Sequence, residues 1–197
     1  MLRYVEVPAK YGAEIESGDV CYKFVRPINL YNQWFFEHLG YKISATMLRC
    51  WPIIIVALLL PSSIGLSLPC SLLAFLLFIV SLCLGALMTS AISMFIIFLT
   101  LKTNSQKGTQ AVITTIAGVL GGMYIPLPLM PNAVQNVLNY LPFRFISDLP
   151  IRIFIGNVST SQALMFIGIC LVWLVILISL GKFLISKALK TAQIQGG

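Results

Sequence analysis

Charge is what this sequence has least of. Only 10% of its 197 residues are Asp, Glu, Lys or Arg, against roughly 25% in a soluble domain. The scarcity is also uneven: from Leu68 to Leu101 there is no charged residue at all. Only lipid or a deep core accommodates such a stretch. The long apolar runs contain no Asp or Glu, which weighs against proton-coupled carriers and intramembrane proteases, since these keep ionisable groups at membrane depth.

Chemistry-bearing motifs are equally scarce. There is no G-x-x-x-x-G-K-[ST] loop to bind ATP, no H-E-x-x-H and no G-x-S-x-G. The single histidine, His38, stands outside the apolar runs and reads as an interfacial residue rather than a ligand. The five cysteines (Cys21, Cys50, Cys70, Cys83 and Cys170) form no C-x-x-C pair, so they read as small hydrophobes rather than a metal site or disulfide frame. The expectation is a protein that is not an enzyme, with no catalytic residue, no metal and no cofactor. The net charge of +7 does not imply nucleic acid, because the basic residues are spaced between apolar runs rather than gathered on a face.

What is there is hydrophobic length: 58% of residues are hydrophobic and the mean hydropathy is +0.94. The pattern predicts an all-α, polytopic membrane helix bundle of about four transmembrane helices. Residues 1–46 read as a cytoplasmic region ending in an amphipathic helix from Leu30, with Trp34, Phe35 and Phe36 beside Glu37, His38 and Lys42. That mixture suits a helix at the headgroup level, or a cytoplasmic extension of the following span. Residues 47–187 read as the transmembrane domain, with spans over about 43–60, 68–101, 109–125 and 163–181, and residues 188–197 as a cytoplasmic tail. The second run is longer than one perpendicular crossing. Gly85 and Thr89-Ser90 hint at a turn inside it, but it reads as one long helix. Lys102 to Gly108 forms a short basic loop. After the third span, Asn132 to Leu141 places Val134, Val137, Leu138 and Leu141 at helical spacing on one face, and Pro142 ends that segment.

Alternating spans put 11 of the 13 Lys and Arg residues on one side, with only Arg144 and Arg152 opposite. The positive-inside rule therefore predicts that both termini are cytoplasmic. Pro126 to Ser161 is expected outside.

Two punctuated segments stand out. The first is Glu14-Ile15-Glu16-Ser17-Gly18-Asp19, followed by Lys23-Phe24-Val25-Arg26-Pro27. The second is Gly121-Gly122-Met123-Tyr124-Ile125-Pro126-Leu127-Pro128, continuing through Pro131 and Leu141-Pro142-Phe143 to Pro150-Ile151-Arg152. In their order and spacing they resemble ABC transporter permeases of the type-2 (export) class, and the resemblance covers nearly the whole chain. Such permeases carry an acidic–Gly stretch and a Pro in the cytoplasmic loop before their third span. They also carry a Gly-x-x-x-Pro element and an extracellular amphipathic helix around the fifth.

The resemblance implies a permease subunit of an export system in the inner (cytoplasmic) membrane, working with a separate ABC ATPase subunit that uses the ATP. A second permease chain, identical or not, would complete the pathway. It implies coupling to the ATPase through Glu14, Glu16, Gly18, Asp19, Arg26 and Pro27, and an extracellular gate or re-entrant region at Gly121, Gly122, Pro126, Pro128, Val134 and Leu138. Permeases of this class commonly have six spans, which implies that the first two are absent from this sequence. The charge-free runs suit a lipid-like or amphiphilic cargo. A non-transporting membrane scaffold or assembly protein is the competing reading, and a copurifying ATPase discriminates the two.

Overall fold

The computed structural model describes residues 5–20, 29–59, 71–126 and 129–195. Arg26, Pro27 and Pro128 lie outside the described residues. The described chain is helical, without strands: α1 Ala9–Glu16, α2 Leu30–Leu59, α3 Leu72–Thr103, α4 Gln106–Leu120, α5 Asn132–Leu138, α6 Arg144–Ile155 and α7 Thr160–Gln195.

Helix α3 is the spine. Ser71 caps its start, its hydroxyl accepting from the Ala74 N–H at 3.1 Å. Asn104 ends it in the left-handed conformation, returning its N–H to Thr100 at 2.8 Å. Its 32 residues span about 48 Å. The hinted turn inside it does not form. Thr89 donates its hydroxyl back to the Gly85 carbonyl at 2.8 Å, within the helix. Gly85 is instead a notch: a Cβ there would stand 3.2–3.3 Å from the backbone carbonyls of Ile146 and Phe145. Ser81, Gly85, Ser90, Ala91 and Ser93 are all buried on α3. Small residues let backbones approach where lipid removes the hydrophobic drive for helices to associate. Helices α2, α4, α6 and α7 all pack on α3.

Two helices among the described residues are long and apolar enough to cross a membrane, Leu72–Thr103 and Thr160–Lys190. The other expected spans differ in kind. The amphipathic helix from Leu30 and the expected span 43–60 form one continuous 30-residue helix that passes through Pro52. Its first half is packed into the protein, with Trp34 1% exposed and Phe35 also buried. The aromatic face that suited a headgroup layer suits a protein core equally well. Beyond Tyr41 this helix stands away from the bundle, and Met47, Leu48, Trp51, Ile53, Ile55, Val56 and Leu59 are all exposed.

The expected third span, 109–125, begins earlier and stops sooner. Helix α4 takes in Gln106 to Gly108 from the expected loop and ends at Leu120. Its 15 residues reach roughly 22 Å, short of a hydrocarbon core of roughly 30 Å. It starts beside the end of α3, where the Thr100 and Thr109 hydroxyls meet at 3.0 Å.

Helix α6 was not anticipated. Its code is an i, i+4, i+8 pattern on two faces: Phe145, Leu149 and Ile153 are buried, while Arg144, Asp148 and Arg152 pair along another. Its start touches Gly85, and the Phe154 ring lies 5.1 Å from Phe78. It therefore runs antiparallel to α3, from the middle of that helix toward its start. Just before it, the Tyr140 carbonyl accepts from Trp173 Nε1 of α7 at 2.7 Å. Gly85 and Trp173 each lie roughly 20 Å along their helices from the first residue. Helices α4 and α6 thus climb the spine in two stages that meet near its mid-height.

Candidate functional site

The acidic–Gly segment folds as α1 and the turn that ends it. Ser17 and Gly18 return their N–H groups to Ala13 and Ile15 at 2.9 and 3.2 Å, and Gly18 takes φ +81°. Only glycine enters that region without strain, which is why it follows the helix. Asp19 is exposed, held by the Ser17 hydroxyl donating to Oδ2 at 2.7 Å. Glu14 is half-buried. Glu16 reaches across the fold, where its Oε1 accepts the backbone N–H of Gln106, the first residue of α4, at 3.2 Å. Ser105 provides no side-chain cap there, so the Glu16 carboxylate satisfies an orphan donor and meets the positive end of the helix dipole.

Ahead of α1, residues 5–8 run extended and antiparallel along α4. Such a segment has no sheet to satisfy its backbone, so side chains must do so. Thr114 Oγ1 donates to the Val5 carbonyl at 2.7 Å, and the Val7 N–H donates to Gln110 Oε1 at 3.4 Å. Gln106 Nε2 donates to the carbonyls of Val7 and Pro8 at 2.9 and 3.1 Å. The Gln106 side chain fits because Gly12 lacks a Cβ, which would overlap it. A groove of about 830 Å³ follows this seam, from Glu16 and Lys107 at one end to Met123 and Tyr124 at the other.

The same element is pinned to α2. Tyr11 donates its hydroxyl to Glu37 Oε2 at 3.1 Å, Gln33 Nε2 donates to Oε1 at 3.0 Å, and Lys10 Nζ stands 3.6 Å from Oε2. Burial, and then the Glu37 carboxylate, hold the Tyr11 phenol well above the usual tyrosine range, so it remains a donor.

His38 is a correction to the interfacial reading: it is fully buried. Its Nε2 faces the Glu6 carbonyl at 2.8 Å and its Nδ1 faces Ser90 Oγ at 3.2 Å. A carbonyl only accepts, so Nε2 carries the proton and Nδ1 accepts from Ser90. Burial pushes the imidazole down to about 4 against the opposing bond to Glu6, and Lys42 adds to the lowering. The ring is neutral at pH 7.

The second segment surrounds the end of α4. Gly121 caps the helix, Gly122 takes φ +77°, and the Tyr124 ring packs where a Cβ on Gly118 would be. Pro126 is exposed and accepts the Leu129 N–H at 2.9 Å. The shared face expected on α5 is only partly formed. Leu138 is buried, but Val134 and Val137 are exposed and Leu141 is half-buried. The reason is length: α5 has seven residues and ends at Leu138, so Leu141 falls outside it. Buried Arg144 ties the segment together, donating from Nε to Asp148 Oδ2 at 2.8 Å and from Nη1 to Asn139 Oδ1 at 2.6 Å, over the Phe166 ring.

The structure thus joins Glu14, Glu16, Gly18 and Asp19 in one element against the start of α4; at the other end of α4 it places Gly121 and Gly122 in the turn that follows, while Val134 and Leu138 stand on the separate helix α5. Sequence reasoning missed Tyr11, Gly12, Glu37, Gln106, Gln110, Thr114, Arg144 and Asp148. The usable signals were Gln106 and Gln110 at i, i+4 and the charge ladder of α6. Among the described residues no cluster of His, Cys, Asp and Glu could hold a metal ion.

No curated protein and no solved structure matches the chain. A family model described as ABC-2 family transporter protein matches residues 4–196. With a match over nearly its whole length, and described residues that are all helical and include two helices long and apolar enough to cross a membrane, the chain belongs to the ABC-2 family of transporter proteins and is a membrane permease of the ABC transporter type.

Proposed function

We propose that this chain is the permease subunit of an ABC export system, forming the substrate pathway and driven by a separate ATPase subunit. It works with a second copy or a second permease chain in the inner membrane, with both termini cytoplasmic. It holds no nucleotide or other cofactor of its own. The observation that carries this reading is the placement of α1. The acidic turn Glu14–Asp19 is held by Glu16 to the start of α4, and Glu16 shares a groove with Lys107, at the end of the bundle that the basic residues assign to the cytoplasm. Arg26 and Pro27 follow in the same segment. Glu14 and Asp19 offer the docking charge, Gly18 shapes the turn, and Glu16 holds the turn to α4.

Gly121, Gly122, Pro126, Pro128, Val134 and Leu138 form the gate region. The Tyr124 ring packed at Gly118 and the Tyr140 carbonyl bonded to Trp173 support a re-entrant position at membrane depth. Irregular backbone is tolerated there only where protein or a water-filled cavity satisfies it.

The test is copurification. Glu14→Lys combined with Asp19→Lys should reduce the bound ATPase subunit while leaving the amount of membrane-inserted permease unchanged. A double change is needed because an exposed ion pair contributes at most about 1 kcal/mol. An unaltered ATPase yield would remove the docking assignment, and no ATPase with the unmutated chain would favour a scaffold.

A further inference from the structure

We infer that Gln106 is a positioning residue that clamps the N-terminal strap to α4, making α4 the rod that carries motion of α1 to the gate region. The inference rests on the docking reading above and deepens it.

The strap and α4 are in register over two turns. Val5 lies opposite Thr114, Val7 opposite Gln110, and Val7 and Pro8 opposite Gln106. Three extended residues advance roughly 10 Å, and eight helical residues roughly 12 Å, so the two run side by side without slack. Glu16 closes the loop by bonding the first N–H of α4. Both ends of α1 are therefore fixed to one helix.

Helix α1 packs on α3 and is bonded to α2 and α4, and of these three α4 alone packs extensively on a single helix. The first half of α2 is anchored by Tyr31, Trp34 and Phe35 in the core, and α3 is enclosed by its neighbours. Helix α4 has one extensive helix contact, with α3, and Val112, Ile116 and Val119 are exposed. It contains no proline, and it passes at Gly121 directly into the turn where Gly122 takes positive φ. A push on α1 is thus delivered to the gate end rather than absorbed by the bundle.

The experiment uses the complex of this chain with its ATPase subunit in lipid nanodiscs, with the native cysteines replaced and one cysteine at exposed Ile125. The rate of modification by a fluorescent maleimide is compared with and without ATP plus vanadate. In the otherwise unmutated complex the rate should change several-fold. Gln106→Ala, and independently Gly12→Ala, should retain bound ATPase and hydrolysis but lose the nucleotide dependence at residue 125. Gly108→Ala, on the same helix and off the strap, should keep it. Full nucleotide dependence in Gln106→Ala with ATPase bound overturns the inference and leaves the docking reading intact. Loss of the ATPase from Gln106→Ala also overturns it, because the residue would then belong to the docking face. If Gln106→Ala does not fold, Thr114→Val removes only the far bond and should weaken the nucleotide effect; an unchanged effect overturns the inference. If no ATPase binds the unmutated chain, both the docking reading and the inference fail.

Discussion

Gly85→Ala offers a direct test of where α6 sits, because Gly168→Ala is its matched control. Both glycines lie inside long helices. A Cβ at Gly168 meets nothing within 4 Å, whereas at Gly85 it meets the Ile146 and Phe145 carbonyl oxygens at 3.2 and 3.3 Å and the Ile146 Cα at 3.5 Å. Those neighbours are backbone of the first turn of α6, where Arg144 and Phe145 are buried, and cannot swing aside as a side-chain end would. Replacing glycine by alanine in a helix gains about 1 kcal/mol, and that gain should be realised at residue 168. At residue 85 the same gain is opposed by overpacking of about 1–3 kcal/mol. The two variants should therefore differ by about 1–3 kcal/mol, with Gly168→Ala more stable than the unmutated chain and Gly85→Ala at or below it. At roughly 2–4 °C per kcal/mol for a chain of this length, thermal melts in detergent resolve the difference. If Gly85→Ala stabilises as much as Gly168→Ala, the backbone of α6 does not touch the middle of α3. The mid-height start of α6 then fails with it.

Two further outcomes follow from the N-terminal element and its contacts. Glu16→Ala removes the cap on α4 and should cost about 0.5–2 kcal/mol, read as faster hydrogen exchange at the Gln106 amide, while Asp19→Ala leaves that amide unchanged; equal exchange in both would refute the cap. His38, with its folded value near 4, favours the native state fully above an unfolded value of about 6.5 and loses that contribution as pH falls through the window to 4. The loss amounts to roughly 3 kcal/mol, should appear as a falling melting temperature between pH 6.5 and 4, and should flatten in His38→Gln. A curve of the same steepness in that variant would refute the role of His38.

The fold class was legible because lipid imposes a blunt requirement: charge-free runs such as Leu68–Leu101 and Ala163–Gly181 leave few alternatives. The acidic–Gly turn was legible for a similar reason, since Gly18 supplies a backbone conformation that other residues enter only with strain. What the sequence concealed is pairing. Trp34 and His38 carry no mark distinguishing a membrane surface from a protein core; that depends on α3 presenting Ser90 and a small-residue face. Gln106 reads as loop polarity until the Val7 and Pro8 carbonyls are known to need donors. Helix α6 was hidden by Pro142 and Pro150, which look like breaks, although Arg144, Asp148 and Arg152 already followed a helical period. The bond from Gln106 to Glu16 was equally hidden, because an exposed carboxylate and a helix cap are identical in sequence.

The central claim is that the acidic turn after α1 is the surface on which an ATPase subunit sits. Single cysteines at Asp19 and at Asn157, at opposite ends of the bundle, can be treated with a short bismaleimide in native membranes lacking other cysteines in this chain. The account predicts an adduct between the Asp19→Cys chain and a nucleotide-binding subunit, increased by ATP plus vanadate, and none from Asn157→Cys. An adduct from Asn157→Cys alone, or from neither position, would contradict it.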